Sequence, residues 1–198
     1  MKKLVITTAL AAILATSLGA RGHHHGHHFG HRGNAQNAVE NTTQANTQTV
    51  TETLTQKQQE DLQFMYEEEK LARDVYITLG NIWNTRVFSN IQNSEQRHMN
   101  SVKYLLNKYN VEVPVLSDDI GVFENEEIQA LYNELVEKGK ESLKDALEVG
   151  VIIEETDIAD LEEKKVGATA DIQRVFDNLL KGSYNHLRAF NRNLRRVE

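Results

Sequence analysis

Four stretches of this sequence repeat apolar residues at three- and four-residue spacing for five or six turns. Each stripe is broken near its middle by a polar or charged side chain. At 3.6 residues per turn, Leu62, Met65, Glu69, Ala72, Tyr76 and Leu79 share one face. So do Phe88, Ile91, Glu95, His98, Val102, Leu105 and Tyr109. A third set is Leu143, Ala146, Gly150, Glu154, Asp157 and Leu161, and a fourth is Ile172, Val175, Leu179, Ser183, His186 and Phe190. Each set falls within an arc of about 120°, the width of a stripe that faces a core.

The spacing predicts long helices over about 55–80, 88–109, 142–163 and 170–192. Thr55 and Gln58 fit a capping box at the first start, and Gly80-Asn81 reads as that helix's end. A connection over 110–123, holding Pro114 and Gly121, leads to a short helix over about 125–138 that ends at Gly139. The expected fold is all-α: a four-helix bundle with one extra short helix between the second and third long helices.

The interruptions carry the functional reading. An unpaired carboxylate in a hydrocarbon core costs several kcal/mol, roughly. Singly, each interruption has an ordinary explanation. Glu69 can pair with Arg73, and Glu95 with Arg97 or Lys103. Either histidine can be a satisfied core residue, and Glu154, Glu155, Asp157 and Asp160 can form a solvated face. Together, four such breaks at matching depth call for a shared cation. The candidate metal ligands are Glu69, Glu95, His98, Glu154, Asp157 and His186, with Glu68 and Glu155 as the neighbours that a one-residue change of helical phase would bring in. Glu95 and His98 form a Glu-x-x-His pair, which points both groups the same way from one helix. Carboxylates with imidazoles suit iron, manganese or zinc, and carboxylate-rich pairs in a bundle favour iron or manganese. With two ions per chain, Glu69 and Glu154 are the bridging candidates and Glu95 and Asp157 the terminal ones. His98 then serves one ion and His186 the other. Tyr66, Tyr76 and Tyr184 are candidate neighbours of such a centre, with packing as their commoner role.

The chain has no Cys, which excludes disulfides, thiolate metal sites and a rubredoxin-like electron-transfer module. An enzyme of this kind would draw electrons from an external donor. The formal net charge is −7, which argues against a nucleic-acid surface. Neither a phosphate-binding glycine loop nor a nucleophile turn is present.

Residues 1–20 have the layout of a secretory signal: Lys2 and Lys3, an apolar run from Leu4, then small residues. Cleavage is expected near 17–20 and the destination is periplasmic or secreted, with no stable membrane span left after cleavage. Residues 21–53 read as a polar linker. Its first part holds His23, His24, His25, His27, His28 and His31, a composition that can capture metal or serve as a flexible arm; the rest is rich in Asn, Gln and Thr. The helical domain is then 54–198.

The segment EEEKLARDVY resembles the first bundle helix of rubrerythrin, where Glu, Ala-Arg and Tyr fall at the offsets of Glu69, Ala72-Arg73 and Tyr76. Glu154 and Asp157 resemble the paired acids of rubrerythrin's third helix. More closely, EEEKLARDVY, FSNIQNSEQRHM, EETDIADL and SYNHLRAF together resemble a ferritin-like family known as domain of unknown function 2202, over roughly residues 54–190. The resemblance implies oxidation of ferrous iron or reduction of peroxide. One departure stands out: a standard di-iron bundle supplies both Glu and His from its fourth helix, and here Gly182 and Ser183 precede His186. Asp157 can make up the count. Two other readings stay open. One is a non-catalytic protein that binds, stores or senses metal with the bundle and the His-rich arm. The other is a structural bundle whose acids pair with Arg73, Arg97 and Arg188. A homodimer is compatible with any of these.

Overall fold

The computed structural model describes residues 53–197. Residues 1–52, where an export signal and a polar linker were expected, therefore lie outside the described residues. Five helices form: α1 (Gln56–Trp83), α2 (Arg86–Lys108), α3 (Glu126–Glu141), α4 (Leu143–Lys164) and α5 (Ala170–Val197).

Capping explains the starts. Thr55 is extended, its side chain accepts the Gln58 N–H, and Gln58 returns a side-chain oxygen to the Thr55 N–H at 2.9 Å. Asn125 and Ser142 cap α3 and α4 through their side-chain oxygens. These bonds satisfy N–H groups that have no partner within the helix.

Two expected stops move. α1 passes through Gly80 and ends at Asn84, whose φ of 47° is left-handed and whose N–H bonds the Gly80 carbonyl. Likewise α3 passes through Gly139. Both glycines answer to packing rather than termination. A Cβ on Gly80 would sit 3.0 Å from Phe88 Cβ, and one on Gly139 would sit 2.6 Å from Leu79 Cδ1. The last helix also continues beyond residue 192, to Val197.

The α1–α2 hairpin turns through Asn84 and Thr85, and α4–α5 through residues 165–169. α1 packs on α2 and α4, and α5 packs on α4 and α2, so the four long helices close a ring. Its neighbours are antiparallel: the start of α1 meets the end of α2 and of α4 in one apolar cluster that also takes in the start of α5. α2 and α4 consequently run the same way, and the 109–125 connection must travel the length of the bundle. It delivers α3 to the far end, against α1 and α4.

Two apolar clusters fill the bundle. One contains Leu62, Met65, Val102, Leu105, Leu161 and Phe176. The other contains Val75, Tyr76, Leu79, Phe88, Val149 and Phe190. The buried polar residues Glu69, Glu95, His98, Glu154, Asp157, Ser183 and His186 lie on the same stripes between them. No described helix is long and apolar enough to cross a membrane.

A buried ion pair ties the long connection to α1. Lys70 and Asp74 are 1% and 0% exposed, with Nζ 2.5 Å from Oδ2. Lys70 also reaches the carbonyls of Asp119 and Val122 at 3.3 Å, and its ammonium lies over the Phe123 ring. Asp74 accepts the Gly121 N–H at 3.0 Å and the Arg73 side chain at 2.9 Å. Breaking a buried pair leaves a stranded charge. Asp74→Ala is therefore expected to lower unfolding stability by about 3–5 kcal/mol, measured by urea denaturation.

Candidate metal centre

Each helix places its polar residue by the same periodicity that places its apolar ones. Glu69 comes from α1, Glu95 and His98 from α2, Glu154 and Asp157 from α4, and Ser183 and His186 from α5. The structure brings five of the six candidates into two overlapping triads. One holds Glu69, Glu95 and His98, the other Glu95, Glu154 and His186, and within each the ligand atoms lie within 4.8 Å of one another.

Glu95 is the shared member. Its Oε2 lies 2.9 Å from His98 Nδ1, and its Oε1 lies 2.9 Å from His186 Nδ1. Glu69 Oε2 is 3.3 Å from His98 Nδ1, and Glu154 Oε2 is 3.4 Å from His186 Nδ1. The two imidazoles stack with centroids 5.5 Å apart. Glu95, expected at the end of the arrangement, thus stands at its middle. Glu69 and Glu154, expected to bridge, each approach one histidine.

Those contacts have ion-pair length but not hydrogen-bond direction. His98 Nδ1, His186 Nδ1, Glu95 Oε1, Glu69 Oε1 and Asp157 Oδ1 are all buried without a hydrogen-bond partner. Ligand bonds of about 2.1 Å set neighbouring ligand atoms roughly 3.0–3.4 Å apart in octahedral or tetrahedral geometry. The observed 2.9–3.4 Å spacings match the edges of such a polyhedron. The residues present therefore fit a pair of cations.

Two hydroxyls hold the remaining acids. Tyr76, fully buried beside Phe88 and Phe190, donates to Glu154 Oε1 at 2.7 Å. That leaves Glu154 one oxygen for the centre. Ser183 Oγ lies 2.5 Å from Asp157 Oδ2 and also 3.0 Å from the Leu179 carbonyl. Asp157 lies outside both triads, and its carboxylate meets α5 at Ser183, one turn before His186. Tyr184, by contrast, is exposed and bonds Glu162, while Tyr66 packs in the α1-start cluster.

The arginines expected by a purely structural reading go elsewhere. Arg73 turns to Asp74 and Gln96, and Arg97 and Arg188 are exposed. Of the phase neighbours, Glu155 is exposed, whereas Glu68 keeps one buried oxygen without a partner.

Crowding of acids shapes the protonation of the metal-free chain. Burial opposes charge on His98, but Glu69 and Glu95 outweigh it and raise the imidazole to about 11. His186 rises to about 9 for the same reason, against its own burial, through Glu154 and Glu95. Burial and the Glu95 charge push Glu154 up to about 8, and burial pushes Asp157 up to about 6. Glu95 alone moves down, to about 2, because two imidazoles overcome its burial.

Sequence reasoning noted Gly182 only as a departure from the expected carboxylate and missed its contact with His98. A Cβ there would stand 2.6 Å from His98 Nε2. A glycine in the middle of a predicted helix, one turn before a candidate ligand, was the available signal.

Residues 58–197 match the family profile described as "Uncharacterized protein domain (DUF2202)". An "Uncharacterized protein MJ0754" of Methanocaldococcus jannaschii is 56% identical over 141 residues, covering 70% of this chain and 76% of that protein. The crystal structure of hypothetical protein MJ0754 from Methanococcus jannaschii superposes with a TM-score of 0.70 at 53% identity, covering 73% of this chain and 83% of that one. A DUF305 fragment from Deinococcus radiodurans superposes with a TM-score of 0.54 at 16% identity, covering 73% of this chain and 99% of that one. At that identity the likeness concerns the fold alone.

The raised groups set a sign for stability against pH. A folded pKa above the unfolded one gives stability that is complete below the unfolded value and is lost as pH rises through the folded value. Asp157, Glu154, His186 and His98 all shift upward, from ordinary values of 3.8, 4.5, 6.5 and 6.5. The metal-free chain is expected to lose thermal stability steadily from about pH 5 to pH 9, read from melting temperatures in chelator.

Proposed function

The chain belongs to the DUF2202 family, and from the buried cluster at its centre we propose that it binds two divalent transition-metal ions, iron first among them, and uses them in oxidation–reduction chemistry. One observation carries this reading: facing ligand atoms sit at coordination-edge spacing, buried, with no hydrogen bonds among them. Charge supports it as well. Glu69, Glu95, Glu154 and Asp157 balance two divalent cations, leaving both imidazoles neutral as ligands.

Glu69 and His98 would hold one ion and Glu154 and His186 the other, with Glu95 between them and Asp157 approaching from α4. Iron or manganese there would supply reversible one-electron chemistry toward oxygen or peroxide. The chain's own groups bind, orient and exclude water. Tyr76 fixes the face of Glu154, Ser183 fixes Asp157, and the apolar clusters on either side close the layer from solvent. Oxidation of ferrous iron, or reduction of peroxide, is the reaction class we infer. With no Cys in the chain, peroxide reduction would need an electron donor from outside. The export signal read at residues 1–20 would place this chemistry outside the cytoplasm.

The test uses a chain whose six linker histidines are alanine, so that only the bundle binds. Two Fe or Mn per chain, with oxygen consumed on adding ferrous iron, is the expected result. Two ions without turnover would leave storage or sensing, and no ion would end the metal reading. Three outcomes sharpen the assignment. Glu95→Gln should abolish both ions, whereas Glu69→Gln should cost one, by elemental analysis. Tyr76→Phe should weaken binding about 10–100-fold, the usual cost of losing a ligand's outer partner. Metal loading should release protons in a pH-stat, because His98 and His186 start protonated.

A further inference from the structure

α5 contributes one imidazole, yet it meets two ligands that belong to other helices. His98 from α2 lies against Gly182: a Cβ there would be 2.6 Å from its Nε2 and 2.8 Å from its Cε1. Asp157 from α4 lies on the hydroxyl of the next residue, Ser183. Neither position of α5 leaves room for a long side chain. His186 is less exposed to the same constraint, with its Cε1 3.9 Å from that Cβ.

We propose that Gly182 is a positioning residue for metal binding: it is the seat on which His98 rests, and it decides whether the His98 half of the centre exists. This rests on the metal reading above. A carbon at 2.6 Å must retreat roughly 1 Å to reach ordinary contact. His98 has nowhere to retreat without leaving the centre. Its other ring nitrogen is 2.9 Å from Glu95 and 3.3 Å from Glu69, and the ring stacks on His186. α2 cannot carry it away, because Ile91 and Val102 on the same face are buried. The His186 half, built from Glu95, Glu154 and His186, does not use that seat. A methyl group on α5 should thus remove one ion and spare the other.

The substitution separates this role from ordinary packing because alanine is the better helix former. In the chain with alanine at the six linker histidines, Gly182→Ala is expected to keep its helical circular dichroism and its metal-free melting temperature. It should bind one ion where the parent binds two. In the metal-free chain the imidazole nitrogen resonances of His98 should move more than those of His186, and Lys181→Ala, at an exposed neighbour, should match the parent throughout. Two ions at parental affinity with unmoved His98 resonances would overturn the proposal. So would loss of helix, which would make Gly182 a packing residue only. If the parent binds no metal, the metal reading fails by itself, and unmoved His98 resonances would then reject the seat separately.

Discussion

The Glu95 carboxylate, held between two imidazoles, is the interaction on which the rest of the centre depends. Each of its oxygens lies 2.9 Å from a different histidine, one on its own helix and one on α5. It therefore joins the α1–α2 hairpin to the α4–α5 hairpin at mid-depth. Burial works against a charged carboxylate there, and only the two imidazoles keep it ionised. Removing Glu95 would leave two histidines and three acids with no common member. Glu69 and Glu154 each approach one histidine only, and the stacked imidazoles are the other contact between the halves.

Much of this was legible because helical periodicity is local. The stripes through Glu69, Glu95, Glu154 and His186 follow from spacing alone, and these residues are buried where the spacing put them. What periodicity cannot carry is partner choice across helices. Arg73 is one turn from Glu69 in sequence, yet its guanidinium turns to Asp74 and Gln96. Glu95 was assigned an outer place because a single helix face says nothing about which facing helix lies opposite each oxygen. Gly80 and Gly139 misled for a related reason. A glycine that ends a helix and one that admits a neighbour look alike until the neighbour, Phe88 or Leu79, is in place.

The fourth helix departs from the expected pattern at one position. Where a carboxylate was expected, Ser183 supplies a hydroxyl and Asp157 brings its carboxylate across from α4. That contact sets an α4 carboxylate beside the α5 residue one turn before His186.

The layer of charge across the middle of the bundle also acts on alignment. The apolar clusters above and below it are built of leucines, valines and phenylalanines, so a shifted pairing there would still set hydrocarbon against hydrocarbon. The polar layer differs. A slip of one turn, about 5.4 Å, would set a carboxylate against hydrocarbon and a leucine against an imidazole. The residues that cost most to bury thus act as a key: they give four similar helices a single way to lie side by side.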